Sequence, residues 1–308
     1  MGKRDKRELI YRFIYIQKAE FPIKLICEVC EIPPSSYYDW QKGQTRQIDY
    51  LWEQAKLTDK IFNIWYDSKA CYGAPRIKHS LVKQGIHISK KTIARLMQQI
   101  NIAGICAKKN RTYTTESDPN NQLAKDLVER NFKANRPNEL WVGDITYIPT
   151  DQGNLYLASV IDVFSRRLIG YSIADHMRTS LCLDALTATQ RSRAKSKFSN
   201  TIFHSDHGSQ YSSGDFKRYL KLMGVTLSMG SIGDSYDNSL AESFWASLKR
   251  EVVNRKKFST KNQARTTIFE WFVWYNKQRL HSSIDYLSPE EFEQKWINNQ
   301  IELGSKIA

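Results

Sequence analysis

The chain has 308 residues, and 46 Lys and Arg against 32 Asp and Glu give it a formal charge of +14. That length permits two or three domains with one sizeable core. No run of eighteen apolar residues is present, so a membrane-spanning helix is not expected. The charge excess favours polyanions through counterion release and steering, although basicity alone fits a plain soluble protein equally well. Five scattered cysteines read as reduced thiols of a cytoplasmic protein. Cys27 and Cys30 form one CxxC without a second CxxC or any histidine before His79, so four-ligand zinc spacing is missing. The basic N-terminus is followed by no small-residue cleavage site, and a secretory signal is not expected.

Residues 5–42 read as three short helices. Apolar spacing marks the first over Glu8–Ala19, and Pro22 suits the start of the second. The third opens at Pro33-Pro34 and is expected to stop at Gly43. A second helical block covers about 50–107. Within it, Gly73 and Pro75 open one helix that Gly85 closes. Ser89 then caps another, with Ile93, Leu96, Met97 and Ile100 as its buried stripe. Lys90, Lys91 and Arg95 fall near its N-terminal end, where a recognition helix meets DNA. Arg76 on the preceding helix belongs to the same basic set. These residues also fit an ordinary solvated face, and periodicity does not separate the two readings.

Residues 108–137 are polar and turn-rich, with one short helix expected at LAKDLVERNF. Lys108 and Lys109 at its start are placed to run along a phosphate backbone. From 139 the period changes to that of strands. ELWVGDITYIPT, NLYLASVIDVFS and RRLIGYSIADH form an antiparallel meander. Helix 179–192, strand TIFHSD, helix 213–223 and strand VTLSM follow. Strands alternating with helices make this a mixed α/β domain. The loop GSIGDSYDN leads into a helix that Asn238 is expected to cap, and 258–297 is helical.

Three carboxylates stand out in this domain. Asp144 lies inside an apolar strand, where a charge needs a partner. Asp206 ends a strand, at the sheet edge where ligand groups often gather. Glu242 sits on a helix, with thirty-five residues between it and Asp206. Lys249, nearly two turns on, shares its face together with Trp245. Hard oxygen ligands are what two divalent cations about 3.5–4 Å apart require for phosphodiester chemistry. Spacing alone leaves Asp162, Asp234 and Asp237 as competitors; Asp162 is placed to pair with Arg166 or Arg167, and Asp237 to support the helix cap. Tyr147, Tyr211 and Tyr236 read as packing or DNA-contacting residues.

The segments WVGDITYI, VIDVFSRRLIGY, HSDHGSQY, DNSLAESFWASLKRE and YNKQRLHSSIDYLSPEEFE together resemble the OrfB-type transposase of the insertion-sequence-3 family, over roughly 50–297. The resemblance implies an RNase H-like core of α/β class preceded by all-helical helix-turn-helix segments. The expected organisation is a helical segment at 1–48, a helix-turn-helix domain at 50–107, a basic linker at 108–137, a catalytic core at 138–255 and a helical extension at 256–308. It implies that Asp144, Asp206 and Glu242 are the catalytic residues and ligands of two Mg²⁺ ions, with Mn²⁺ as a substitute, and that Lys249 contacts DNA. The implied activity is cleavage of element ends and strand transfer through a circular intermediate. The partners would be double-stranded DNA (terminal inverted repeats and target), further copies of the chain and an upstream-frame product of the same element. The place implied is the bacterial cytoplasm at the nucleoid. Two departures stand out: Asp234 enters a loop that is basic in many relatives, and Ile284-Asp285-Tyr286 replaces the more usual Leu-Gly-Tyr. Retroviral integrases resemble the core but carry a His-His-Cys-Cys zinc module that has no counterpart here. A DNA-binding repressor with a degenerate core and a structure-directed nuclease are the competing readings.

Overall fold

A computed structural model describes residues 3–105, 124–194, 198–230 and 238–305. The chain divides into two compact units, Met1–Ala103 and Gly104–Ala308.

The first unit is all-helical: α1 (Lys3–Gln17), α2 (Ile23–Val29), α3 (Pro34–Asp67), α4 (Ala74–Lys83) and α5 (Lys90–Gln99). Ile14, Ile26, Cys27 and Tyr37 form an apolar cluster among the first three helices, and the Trp40 indole donates to Glu8 at 2.9 Å. The expected stop at Gly43 does not occur, and α3 runs on to Asp67. A helical glycine costs only about 1 kcal/mol relative to alanine. Tyr37 and Ile61, both fully buried, anchor the helix on either side of it. Farther on, Gly73 precedes α4 and Gly85 leaves it in the left-handed region at φ +77°. The Ser89 hydroxyl accepts from the Thr92 amide at 3.0 Å and caps α5. Ile77 and Leu81 on α4 and Ile93, Leu96 and Met97 on α5 are buried, while Ile100 is half-buried just past the helix end.

The second unit is built on a five-stranded mixed sheet: β1 (Leu140–Ile148), β2 (Leu155–Asp162), β3 (Leu168–Ala174), β4 (Ile202–Ser205) and β5 (Thr226–Met229). Their order is β3-β2-β1-β4-β5, with β1, β2 and β3 antiparallel and β4 and β5 parallel to β1. The meander and the alternation that follows it are those expected from the sequence. The helices are α6 (Thr179–Ser192), α7 (Ser209–Ser212), α8 (Gly214–Met223), α9 (Ser239–Glu251), α10 (Lys261–Lys277) and α11 (Pro289–Ser305). Gly170 lets α6 approach β3: a side chain there would begin 2.4 Å from the Ala185 carbonyl. Trp141, Phe203, Phe216, Leu181 and Leu186 fill the core beneath α6 and α8, each large apolar side chain contributing roughly 1.5–3 kcal/mol by burial.

The short helix expected at 123–132 does not form among its described residues. Asp126 accepts the amides of Val128 and Glu129 on Oδ1, at 2.9 and 3.0 Å, and Glu129 and Arg130 take left-handed backbone angles. The Leu127 amide donates to Ser228 Oγ on β5 at 2.9 Å. Local Asp bonding of this kind competes with helix formation.

Asp162, the last residue of β2, is wholly buried, with a partner other than the one expected. It accepts the Asn138 and Phe164 amides at 2.8 and 2.9 Å and pairs with Arg193 at 3.4 Å. Arg167 turns instead to Glu290 and Glu293 on α11. The turn's own amides hold Asp162 inward, out of reach of its sequence neighbours. Its role is structural: with Glu293 and Arg193 it ties the C-terminal helix to the sheet.

Candidate active site

The pairing of β1 with β4 ends at Val142 opposite His204. Asp144 and Asp206 each lie two residues beyond that last pair. In parallel strands this puts them in register on the same face, on neighbours about 4.8 Å apart. The alternation of β1 fixes which face: Trp141 is buried in the core under α6, and Gly143 lies against the Phe203 ring, so Asp144 takes the opposite side. A side chain at Gly143 would start 2.2 Å from the Phe203 ring. Glycine leaves room for that ring on the face opposite Asp144.

Asp144 is half-buried and takes the Ile145 amide on Oδ1 at 2.7 Å. Asp206 is exposed and accepts the Gly208 amide at 3.2 Å. Burial, first, and then the charge of Asp206 push the Asp144 carboxyl up to about 8; Glu242 adds to the rise, while the Ile145 amide and Lys249 oppose it. Asp144 thus sits near two further carboxylates whose charge outweighs that of Lys249. Among the described residues, no three Asp, Glu, His or Cys side chains are gathered closely enough to enclose a metal ion. Glu242, exposed in the first turn of α9, is the outlying member.

Helix α9 carries Glu242 and Lys249 on one face. Lys249 lies over the Tyr147 ring, 5.7 Å from its centroid, and Tyr147 is 54% exposed on β1. That pairing brings α9 to the strand of Asp144. Trp245, expected on the same stripe, is buried against Phe244 instead. Tyr211 is buried among Phe203 and Phe216, and so packs rather than contacts DNA. Asn238 stands at the start of α9 but does not cap it with its side chain. Its Nδ2 donates across to the Gly143 carbonyl at 3.0 Å. The sequence signal for this was an Asn one helical turn before Glu242, which a capping rule assigns to the helix itself.

In the helical unit Lys90, Lys91 and Arg95 are exposed at the start of α5. Arg76 is half-buried and its guanidinium stacks over Tyr72 at 5.5 Å. Lys108, Lys109, Asp234, Tyr236 and Asp237 lie outside the described residues.

Sequence comparison matches residues 134–235 and 223–289 to Integrase core domain families and residues 52–110 to an HTH-like domain. Together with the mixed sheet, these matches define a protein with an integrase core domain and an HTH-like domain. The chain is 37% identical over 288 residues to the transposase InsF for insertion sequence IS3A of Escherichia coli K12, covering 92% of this chain and 98% of that one. It is 34% identical to the transposase for IS629 of Shigella sonnei, covering 91% and 94%, and 38% identical to that for IS904 of Lactococcus lactis, covering 79% and 95%. The chain belongs to the IS3 family of insertion-sequence transposases. Among solved structures, the magnesium-bound catalytic core of HTLV-2 integrase is 16% identical, with a TM-score of 0.41 over 52% of this chain and 99% of that one. A simian T-cell lymphotropic virus intasome chain is 14% identical, with a TM-score of 0.45 and 70% of each chain covered. No helix among the described residues is long and apolar enough to cross a membrane.

Proposed function

We propose that Asp144, Asp206 and Glu242 form the catalytic centre of a metal-dependent polynucleotidyl transferase that cuts the ends of its element and joins them by strand transfer. The observation that carries this reading is the β1–β4 register, which sets Asp144 and Asp206 side by side on one face; burial and two carboxylate neighbours push the Asp144 carboxyl up to about 8. A carboxylate constellation of hard oxygens in want of positive charge fits divalent magnesium, or manganese in its place. The three side chains would hold two such ions. Bound there, Mg²⁺ would supply Lewis-acid activation of the attacking oxygen and charge neutralisation at the leaving 3′-oxygen.

The chain's own residues do the rest. The β1–β4 register presents Asp144 and Asp206 side by side, and α9 must bring Glu242 toward them to complete the set. Lys249, beside the exposed Tyr147 ring, supplies a cation for DNA phosphate next to the carboxylates. Lys90, Lys91 and Arg95 on α5 would engage the terminal repeats, with Arg76 and the linker lysines Lys108 and Lys109 following the backbone. Handling two ends calls for more than one copy, and an upstream-frame product of the element is a further partner. The working place would be the nucleoid of a bacterial cytoplasm.

The test uses the full chain and duplexes carrying the element's terminal repeats. Asp144→Asn, Asp206→Asn and Glu242→Gln are each expected to abolish Mg²⁺-dependent cleavage while end binding persists. A variant that cleaves at the wild-type rate removes that residue from the site. Equal cleavage of random duplex would favour a structure-directed nuclease.

A further inference from the structure

Asn238 is almost completely buried, yet it does not do what an asparagine at the start of a helix ordinarily does. Its backbone stands at the N-cap of α9 with φ −137° and ψ 33°, and its side chain accepts no amide of the first turn. Nδ2 reaches instead to the Gly143 carbonyl at 3.0 Å, and Oδ1 is buried without a hydrogen-bond partner among the described residues. The side chain gives up the usual cap for a bond to a strand ninety-five residues back.

The position of the bond explains the arrangement. Gly143 immediately precedes Asp144, at the point where β1 has outrun its pairing with β4. Its carbonyl takes a donor from α9 just past the last strand pair. Glu242 follows four residues later, in the first turn of the helix that Asn238 leads into. The group that grips β1 beside Asp144 therefore stands at the root of the helix turn that carries Glu242. The bond anchors the start of α9 to β1 next to Asp144.

We infer that Asn238 is a positioning residue, whose amide bond to the Gly143 carbonyl sets where Glu242 arrives relative to Asp144. This rests on the reading of Glu242 as a site carboxylate. The informative variant is Asn238→Ser. Serine is as good an N-cap as asparagine, so the helix start keeps its stability, but the shorter side chain does not reach Gly143. Asn238→Asp keeps the shape and replaces the donor with a carboxylate oxygen facing a carbonyl.

Three readouts on the full chain test the inference: melting temperature without metal, binding to a terminal-repeat duplex without metal, and the shift of melting temperature on titration with Mn²⁺. Cleavage as a function of Mg²⁺ concentration accompanies them. Asn238→Ser is expected to melt close to wild type and bind ends normally, while the Mn²⁺ and Mg²⁺ midpoints rise by about tenfold or more, the effect usual for residues that orient metal ligands. Asn238→Asp should be at least as severe. If Asn238→Ser folds and keeps wild-type metal midpoints, the inference is overturned. Should Asn238→Ser not fold, the same midpoints measured on folded Asn238→Asp decide. Wild-type cleavage by Glu242→Gln would overturn the site reading itself. Loss of cleavage by Glu242→Gln with unchanged midpoints in the Asn238 variants would overturn only the role of Asn238.

Discussion

Arg279 and Glu251 form a buried ion pair, with Arg279 Nη2 2.6 Å from Glu251 Oε1 and both side chains 5% exposed. Arg279 Nε also reaches both carboxylate oxygens, at 3.1 and 3.0 Å, and the Trp271 indole donates to Oε2 at 3.1 Å. Glu251 closes α9, the helix that Glu242 opens. The YNKQRLH segment thereby holds the far end of the helix that carries Glu242.

Removing one partner of such a pair strands a buried charge, at a cost of about 3–5 kcal/mol. Arg279→Met is therefore expected to destabilise the second unit by that amount, read as a lower urea midpoint. Adding Glu251→Leu should recover much of the loss, because two apolar side chains fill the space without a stranded charge. A double variant no more stable than Arg279→Met would contradict this account.

The Asp144 carboxyl carries a pH prediction. In the unfolded chain an aspartate titrates near 3.9, and in the fold it is raised to about 8. Between those values the folded state holds a proton that the unfolded state has lost, so this group's contribution to stability falls as pH rises. Without metal, the protein should melt at higher temperature at pH 6 than at pH 8.5. Asp144→Asn should remove that part of the slope and raise the melting temperature at pH 8.5, with cleavage abolished. A variant with an unchanged slope would show that Asp144 ionises normally.

The contrast between Asp144 and Asp162 marks how far the sequence could be read. Both lie in apolar strands, and nothing in their spacing distinguishes them; the distinction comes from Arg193, thirty-one residues away at the end of α6. The sheet itself was legible, because alternation and turn residues are local. The long α3 was not, because its passage through Gly43 depends on buried anchors at Tyr37 and Ile61 rather than on glycine's own preference. Asn238 was misread for the same reason: its partner is in another strand, ninety-five residues back.

The backbone of Asp285 is left-handed, with φ 55° and ψ 32°. Aspartate tolerates that region better than most residues, but glycine enters it without steric cost. Asp285→Gly is expected to stabilise the protein by up to about 1 kcal/mol, or roughly 2–4 °C in melting temperature for a unit of this size. Cleavage should be unchanged. Destabilisation would mean that the Asp285 side chain does more than tolerate its backbone.

The basic start of α5 tests the division of labour between the two units. Lys90, Lys91 and Arg95 are exposed around the Ser89 cap, where the amides and the positive helix end add to their charge. Each contact with a DNA phosphate steepens the dependence of log affinity on log salt by about 0.9. If all three engage the terminal repeat, replacing them with alanine should flatten that slope by roughly 2–3 and weaken end binding. Cleavage of a pre-nicked or saturating duplex should persist, because the carboxylates are in the other unit. Should one of the three read a base edge, its single variant would relax sequence preference at one position while leaving the other two contacts intact. An unchanged slope would assign the basic end of α5 to solvent and move end recognition elsewhere in the chain.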